Sequence, residues 1–359
     1  MPSSKRSFLW LFALLTAFGL VASACGGSSS DSSSKTSSAA STYDYQSLSG
    51  TLNGSGATFP RNFYEEAIAM FGDVAAGVTV NYNSVGSGQG KTDLAAGTSD
   101  WAASDSLVKD DEKANFKGPF LYFPTVAAPI TVSYNLSGVK DLKLSPETLA
   151  KIFMSTITTW NDAAIAADNP GVTFPSTAIT VAVRSDGSGT TSNFSKYLVA
   201  AAPSIFTVTA GDLVAWPKAQ AGRGNAGVAQ IIKDTSGAIG YVDLSDANAS
   251  NLVTALIKNK DGKFVAPTLA GTTAALAGAT IKDDLSYNPL NAPGAETYPI
   301  TAPTYVIVYV TPSTNAKAIK GWLTYLLSEG QDLAKDVDFA PLPTPLRDRA
   351  LAQITQIQG

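Results

Sequence analysis

The segment from Arg184 to Thr190 contains the residue types most directly suited to binding chemistry. It reads Arg-Ser-Asp-Gly-Ser-Gly-Thr, follows a strand predicted over residues 179–183, and leads into a helix predicted to begin near Thr190. Glycines let the backbone turn and approach a ligand, and the free N–H groups of a first helical turn attract anions. Ser188 adds a hydroxyl and Arg184 a planar cation, so the segment predicts an oxyanion site. Asp186 can hold the guanidinium through an ion pair.

Three further segments place hydroxyl or charged residues at a predicted strand-to-helix junction, and the first two of them also contain glycine. They are Gly54–Pro60, Gly86–Gly90 and Ala103–Asp105. Thr58 and Phe59 lie where a helix begins, so their N–H groups are free, and Ser87 precedes another helix. Three helix N-termini can therefore converge on one small anion, because dipoles bind an anion without a counter-charge from each donor.

Asp105 is an acid among these candidate anion-binding residues. A carboxylate can accept a hydrogen bond from an oxyanion that still carries a proton. Phosphate carries a proton near neutral pH, whereas sulfate does not. A sulfate ion would leave Asp105 as a buried acceptor without a donor, beside a like charge, at a cost of roughly several kcal/mol. Asp105 therefore predicts that phosphate is accepted and sulfate rejected.

Each of these features also has an ordinary structural interpretation. Gly-Ser-Gly turns often simply end strands, Arg184 and Asp186 can form a surface ion pair, and Asp105 can cap a helix. The functional interpretation depends on all four segments together. The sequence contains no histidine and one cysteine, which excludes a Ser-His-Asp triad, a His general base and a His-ligated metal site.

The N-terminus is typical of an exported protein. Two basic residues precede an apolar run over residues 8–21, and small residues lead to Cys25. This order resembles a bacterial lipoprotein box, in which the cysteine is lipidated and becomes the mature N-terminus. An ordinary cleaved signal with an incidental cysteine is the alternative. We predict a lipoprotein signal peptide over residues 1–24, and a lipidated Cys25 with a flexible Ser/Gly-rich tether over residues 25–47.

The rest of the chain alternates strand and helix patterns and exceeds three hundred residues, which predicts an α/β architecture in two lobes. Helices are predicted over residues 60–71 and 316–327, and a long β segment over residues 120–134. Ser145 precedes Pro146 as the cap of another helix. The net charge of −4 argues against a nucleic-acid partner. Residues 248–298 carry weak signals.

The ordered set of motifs resembles the phosphate-binding proteins of bacterial phosphate-specific ABC importers. The resemblance runs from about Leu52 to Pro343. One departure is that Gly88-Gln89 replaces a more usual serine-glycine pair. The motifs are Gly56–Pro60, Val85–Gly88, Ala103–Asp105, Phe123–Thr125, Trp160–Asp162, Arg184–Thr190, Gly222–Gly227 and Gly237–Val242.

The resemblance implies a type II periplasmic-binding-protein fold, with an inter-lobe ligand cleft and a two-strand hinge near Thr125 and Tyr298. Residues 48–125 and 298–359 would form lobe I, and residues 126–297 lobe II. Asp186 would support the arginine. The phosphate ligands carried over by matching positions are Thr58, Phe59, Ser87, Asp105, Arg184, Ser188, Gly189 and Thr190.

The same resemblance implies high-affinity binding of inorganic phosphate outside the cytoplasm and its delivery to ABC permease subunits. The protein would be a monomer on the outer face of the cell membrane, held by its lipid anchor, with no cofactor, metal or catalytic residue. Two alternatives remain open from the residues. One is a receptor for another oxyanion, such as sulfate, and the other is a phosphatase-like enzyme that uses Ser87 or Ser188 as its nucleophile.

Overall fold

The structure is a computed structural model that describes residues 43–359. The predicted signal peptide, Cys25 and most of the predicted tether lie outside the described residues. Tyr45–Ser47 form a 3-10 turn, and the Tyr45 ring is buried. The packed part of the chain therefore begins slightly before the predicted end of the tether at residue 47. Within residues 43–359, no helix has the length and apolarity needed to cross a bilayer.

Strands and helices alternate along most of the described chain. The strands are β1 Gly50–Gly56, β2 Val78–Ser84, β3 Trp101–Ser104, β4 Phe120–Tyr134, β5 Lys143–Leu144, β6 Thr180–Arg184, β7 Gln220–Gly222, β8 Ala238–Asp243, β9 Val253–Thr254, β10 Leu256–Lys258, β11 Phe264–Val265, β12 Thr301–Tyr309 and β13 Ala340–Pro341.

Twelve α-helices cover the sheets in residues 43–359, with two further 3-10 turns at Ala334–Val337 and Ile354–Gln356. The helices are α1 Arg61–Val74, α2 Ser87–Ala96, α3 Asp110–Lys113, α4 Pro146–Phe153, α5 Ala163–Asp168, α6 Gly189–Ala201, α7 Gly224–Asp234, α8 Leu244–Ala249, α9 Leu269–Ala277, α10 Ala316–Leu327, α11 Gly330–Leu333 and α12 Thr344–Gln353.

The main sheet has the order β2-β1-β3-β12-β4-β8-β6-β7, and β4 belongs to both of its halves. The first part of β4 pairs antiparallel with β12, and its last part, from Ile130 to Tyr134, pairs antiparallel with β8. The chain entering β12 also pairs here, since the Ile130 amide donates to the Ile300 carbonyl. Two strands therefore connect the halves. We call the half with β1–β3 the first lobe and the half with β6–β8 the second lobe.

The first lobe is built around five buried rings, which we call the aromatic core. Ring centroids lie 5.2 Å apart for Phe71 and Trp322, and 5.5 Å apart for Tyr64 and Trp101. Such tilted and edge-to-face pairs add to the stabilisation from burial alone. The five rings come from α1, β3 and α10, so the aromatic core joins the helices of the first lobe to its sheet. It consists of Tyr64, Phe71, Trp101, Trp322 and Tyr325.

Local sequence patterns predicted most of these helices and strands correctly. The Ser145 hydroxyl accepts the Thr148 amide and Pro146 opens α4, as predicted. Helix α2 begins at Ser87, which was predicted to precede it, and its N-cap residue Gly86 adopts φ +101°, a conformation that favours glycine. The two-lobed α/β fold with its two-strand hinge is confirmed.

Candidate functional site

Three candidate residues of the first lobe lie at one edge of its sheet. Strands β1, β2 and β3 run parallel, so their carboxyl ends share that edge. Thr58, Ser87 and Asp105 each follow one of these strands within three residues. Thr58, Ser87 and Asp105 are all buried. The parallel register thus gathers residues that are far apart in the sequence.

Arg184 lies at the carboxyl end of β6 and is 5% exposed. Its Nε donates to Asp186 Oδ1 at 2.9 Å, and its Nη2 donates to the other carboxylate oxygen. Its Nη1 donates to Asn225 Oδ1 at 3.1 Å. Burial would raise the pKa of Asp186, but the hydrogen bonds and charge of Arg184, with the Gly224 amide, lower it below its ordinary value. The ion pair is therefore buried, and the guanidinium is held on two sides.

Helix α6 begins beside Arg184 with three residues of the predicted set. The Ser188 hydroxyl caps the helix by accepting the Thr191 amide at 3.1 Å. The Thr190 hydroxyl accepts from Asn225 Nδ2 at 3.4 Å. Among the residues that the structure describes, the Thr190 amide has no hydrogen-bond partner. The start of α6 thus keeps a free donor in a buried position, as an anion site requires.

Hydrogen bonds across the cleft bring the two sets of residues together. The Gly189 amide donates to Ser87 Oγ at 3.1 Å, and the Asn225 amide donates to Thr58 Oγ1 at 3.2 Å. Asn193 Nδ2 donates to the Asp105 carbonyl at 2.6 Å. The predicted residues therefore meet in one buried cluster formed by both lobes.

Phe59 follows Thr58 directly and precedes α1. Its ring is buried against Phe339, with centroids 5.7 Å apart. Within residues 43–359, the amides of Thr58 and Phe59 have no hydrogen-bond partner. The buried ring fixes the position of these two amides at the cleft edge, just before α1.

Asp105 is 3% exposed and lies between the lobes. Its Oδ1 accepts from the Thr304 hydroxyl at 2.8 Å, and its Oδ2 lies 3.5 Å from Ser87 Oγ. Burial raises the pKa of Asp105 to about 7, against the lowering effects of the Thr304 hydrogen bond and the Arg184 charge. The charge of Asp212 raises the pKa further. Asp105 therefore exchanges a proton near neutral pH.

Gly189 of the second lobe lies very close to the first lobe. A Cβ added there would lie 2.6 Å from Asp105 Cβ and 2.6 Å from Ser87 Oγ. Real Cβ atoms essentially never come so close to other heavy atoms. Only glycine at this position lets the start of α6 reach the first lobe.

Three residues of the cluster were not predicted from the sequence. Asn225 lies inside the motif Gly222–Gly227, but no role was predicted for it. Thr304 sits at a register shift of β12, where its hydroxyl turns toward Asp105. Asn193 lies one turn into α6, and its spacing after Gly189 was the signal that could have identified it.

The site is thus composed of hydroxyls, amides, one guanidinium and two carboxyl groups, of which Asp186 holds the guanidinium. Residues 43–359 contain no group of three or more acidic, cysteine or histidine side chains placed to hold a metal ion.

The family model of the PBP superfamily domain matches residues 34–330. Phosphate-binding protein PstS of Pasteurella multocida is 34% identical over 320 residues, covering 87% of this chain and 92% of that protein.

The chain belongs to the PstS family of phosphate-binding proteins. Phosphate-binding protein PstS 3 of Mycobacterium tuberculosis is also 34% identical, over 362 residues, covering 96% of this chain and 97% of that protein. The fold also matches a solved periplasmic phosphate-binding protein, PfluDING, described with bound phosphate. That match has a TM-score of 0.69 and 21% identity, and it covers 85% of this chain and 94% of PfluDING. These PstS relatives are named as binding proteins and not as enzymes.

Proposed function

We propose that this protein binds inorganic phosphate between its lobes, outside the cytoplasm, and delivers it to an ABC importer. The observation that supports this most directly is the setting of Arg184. Its buried guanidinium is held by Asp186 and Asn225, and Asn225 in turn contacts Thr58 of the first lobe and Thr190 at the start of α6. One cation among neutral donors suits a small tetrahedral oxyanion, because the dipoles supply the remaining stabilisation.

The phosphate ligands in this proposal come from both lobes, and Asp186 supports the guanidinium. Backbone amides and hydroxyls would bind the phosphate oxygens, and lobe closure would exclude water. The proposed set is Thr58, Phe59, Ser87, Asp105, Arg184, Ser188, Gly189 and Thr190.

Asp105 is the proposed sensor of the phosphate proton. Above its pKa of about 7, Asp105 is a carboxylate that accepts a hydrogen bond from phosphate and repels sulfate, which has no proton to donate. Calorimetry of the purified protein at pH 8 with phosphate and sulfate, each titrated separately, tests this. We expect phosphate to bind with a stoichiometry of one and sulfate to bind at least about 100-fold more weakly. Comparable affinities would exclude this role for Asp105.

The variant Asp105→Asn separates the acceptor role from simple packing. An amide oxygen can still accept a hydrogen bond, so phosphate binding should partly survive. The amide can also donate, so rejection of sulfate should weaken. A variant whose preference for phosphate over sulfate equals that of the wild-type protein would show that Asp105 does not sense the proton.

We also propose that binding is not followed by catalysis. The Ser87 hydroxyl oxygen accepts hydrogen bonds from the amides of Gly189 and Asp105, which reduces its nucleophilicity. The Ser188 oxygen is similarly occupied by the Thr191 amide. A phosphatase assay on protein that binds phosphate stoichiometrically tests this, and we expect no turnover above buffer.

We further propose a lipid anchor at Cys25 and boundaries for the two lobes. Residues 1–24 would be removed, Cys25 would be lipidated, and the protein would act as a monomer at the outer face of the membrane. Lobe I would comprise residues 48–125 and 298–359, and lobe II residues 126–297. Labelling cells with a radioactive fatty acid tests the anchor: the wild-type protein should incorporate label, and Cys25→Ala should not.

A further inference from the structure

A buried ion pair joins the two lobes beside the proposed phosphate site. Lys91 lies on α2 of the first lobe, and Asp212 lies on the segment between α6 and β7 of the second lobe. Lys91 Nζ is 3.0 Å from Asp212 Oδ2, and the two side chains are 4% and 8% exposed. Ser106 of the first lobe also donates to Asp212 Oδ2, at 3.0 Å. Two polar groups of the first lobe thus bind one carboxylate of the second.

Both partners are connected to the proposed phosphate ligands through short stretches of backbone. Lys91 lies on the same helix as Ser87, one turn further along. The Asp212 carbonyl accepts the amide of Ser188 at 2.9 Å. The starts of α2 and α6 therefore cannot separate without also separating Lys91 from Asp212.

Lys91 and Asp212 differ in the partners that they keep when the ion pair between them is broken. Lys91 also binds Glu112 Oε2 of its own lobe at 2.8 Å, and that carboxylate is 32% exposed. Asp212 Oδ1 is buried and has no hydrogen-bond partner in residues 43–359. Separation of the lobes would leave Lys91 paired with Glu112, whereas Asp212 would exchange its partners for water. The pair therefore suits a contact that is made and broken repeatedly.

A second ion pair between the lobes is more exposed. Arg61 Nη2 lies 3.0 Å from Asp246 Oδ1, but the Arg61 side chain is 34% exposed. Ion pairs with that degree of solvent contact contribute little, since water screens them and competes for the same groups. The Lys91–Asp212 pair is dry on both sides and lies against the ligand residues, so it is the stronger candidate for control of the lobes.

We propose that Lys91 and Asp212 form a latch that holds the closed lobes around bound phosphate, so that both act as positioning residues for ligand retention. This inference depends on the proposed function, because the latch acts on phosphate held between Ser87 and Ser188. The latch forms after phosphate has entered, so it slows the release of phosphate and leaves its entry unchanged.

Three variants test the latch. Lys91→Met leaves Asp212 buried without its charged partner, which is strongly unfavourable, so phosphate should dissociate about 10- to 100-fold faster. Asp212→Asn should have a smaller effect, since Lys91 keeps Glu112. In Lys91→Met/Asp212→Leu both charges are absent, and apolar replacement of a whole buried pair is often tolerated. That double variant should therefore retain phosphate better than Lys91→Met alone.

The measurement is the release of radiolabelled phosphate after a chase with unlabelled phosphate, combined with the equilibrium affinity from calorimetry. The association rate calculated from the two should stay within about threefold of the wild-type value. Lys113→Met is the matched control, because its pair with Asp110 lies on the surface of the same lobe. Circular dichroism verifies that each variant is folded.

Dissociation rates within threefold of the wild type in both single variants would overturn the latch. A double variant that releases phosphate as fast as Lys91→Met alone, or faster, would also overturn it. A slower association rate with unchanged dissociation would instead assign the pair to phosphate entry and contradict the proposal. A wild-type protein that binds no phosphate would overturn the proposed function itself, and this outcome is recognised before any variant is measured.

Discussion

The cleft and the aromatic core of the first lobe are both buried, but they are held together by different forces. The aromatic core consists of rings in edge-to-face, tilted and stacked contact. The cleft is closed by hydrogen bonds and ion pairs, such as Gly189 to Ser87 and Lys91 to Asp212. Burial alone therefore does not distinguish the permanent part of the molecule from the part that can open.

The cleft and the aromatic core differ in whether water can replace their contacts. A hydrogen bond lost on opening the cleft is exchanged for one to water, so its net contribution is only about 0.5–1.5 kcal/mol. An aromatic ring transferred to water loses about 1.5–3 kcal/mol with no compensating contact. We infer that the cleft opens at a cost that one bound anion can offset, whereas the aromatic core separates only on unfolding.

Truncation of Trp322 should produce the largest loss of stability. Its ring is fully buried and contacts Phe71 and Trp101. Removal of so large a side chain leaves a cavity, so Trp322→Ala should lower the free energy of unfolding by about 3–5 kcal/mol. Urea unfolding without phosphate measures this. Phosphate affinity of the folded protein should stay within about twofold of the wild-type value, because the ring does not reach the cleft.

Trp322→Phe is the control for this prediction. It keeps an aromatic ring and removes an indole N–H that has no partner among the residues described. Its destabilisation should therefore be clearly smaller than that of the alanine variant. Loss of phosphate affinity in either variant, in step with stability, would contradict the separation of cleft and aromatic core.

Gly189→Ala should affect the cleft and leave the core intact. The added Cβ would meet Asp105 and Ser87 of the opposite lobe at 2.6 Å, so the lobes could not close fully. We expect phosphate affinity to fall on the order of 100-fold. Stability of the phosphate-free protein should not fall, because lobes that stay apart avoid the contact. Calorimetry and urea unfolding on the same sample measure both quantities.

Gly278→Ala is the matched control, since a Cβ at Gly278 would meet nothing within 4 Å and its φ is ordinary. It should bind phosphate like the wild-type protein. If Gly189→Ala were destabilised as strongly as a core variant, the cleft contacts would belong to the permanent structure and the comparison above would fail.

The sequence predicted the cleft residues unevenly. Residues 184–190 lie in one continuous segment, so strand, turn and helix signals coincided and the anion site was evident. Thr304 joins the site only through β12, and a threonine in a strand carries no local sign of such a role. Asn193 joins it through α6, and its spacing after Gly189 was a weak local sign. The Lys91–Asp212 pair is similarly invisible, because its partners are far apart in the chain.

The fold was predictable where amphipathic patterns are long. The β segment over residues 120–134 is one strand, continuous through Pro129, which pairs with Thr301. Residues 248–298 were not ordered from sequence because they form very short strands, from β9 to β11, and extended turns around α9. Such elements are defined by tertiary contacts, and their few residues carry little periodic signal.

The pKa of Asp105 predicts that anion selectivity depends on pH. Because that pKa is raised to about 7, the carboxyl group is largely neutral at pH 6 and largely ionised at pH 8. The neutral form can donate a hydrogen bond and no longer repels sulfate. Sulfate affinity should therefore rise about tenfold from pH 8 to pH 6. Phosphate affinity should change less, since phosphate retains a proton throughout this range.

Competition calorimetry at several pH values measures this, with Asp105→Asn as the control. An asparagine does not titrate, so the ratio of the two affinities should not vary with pH in that variant beyond the titration of phosphate itself. If the ratio of phosphate to sulfate affinity of the wild-type protein also does not vary with pH, Asp105 stays in one protonation state in the closed cleft. Its titration would then not explain the selectivity.

Gly72→Ala should produce the smallest effect, and it tests the comparison from the opposite direction. Gly72 lies on the exposed side of α1, next to Phe71 of the aromatic core, and a Cβ there would meet nothing within 4 Å. Alanine costs less backbone entropy than glycine in a helix, so the free energy of unfolding should rise by about 0.5–1 kcal/mol. Phosphate affinity should not change, because α1 gains stability without any new contact across the cleft. Higher phosphate affinity in this variant would show that closure of the lobes depends on the stability of the first lobe. The cleft and the aromatic core would then be energetically coupled.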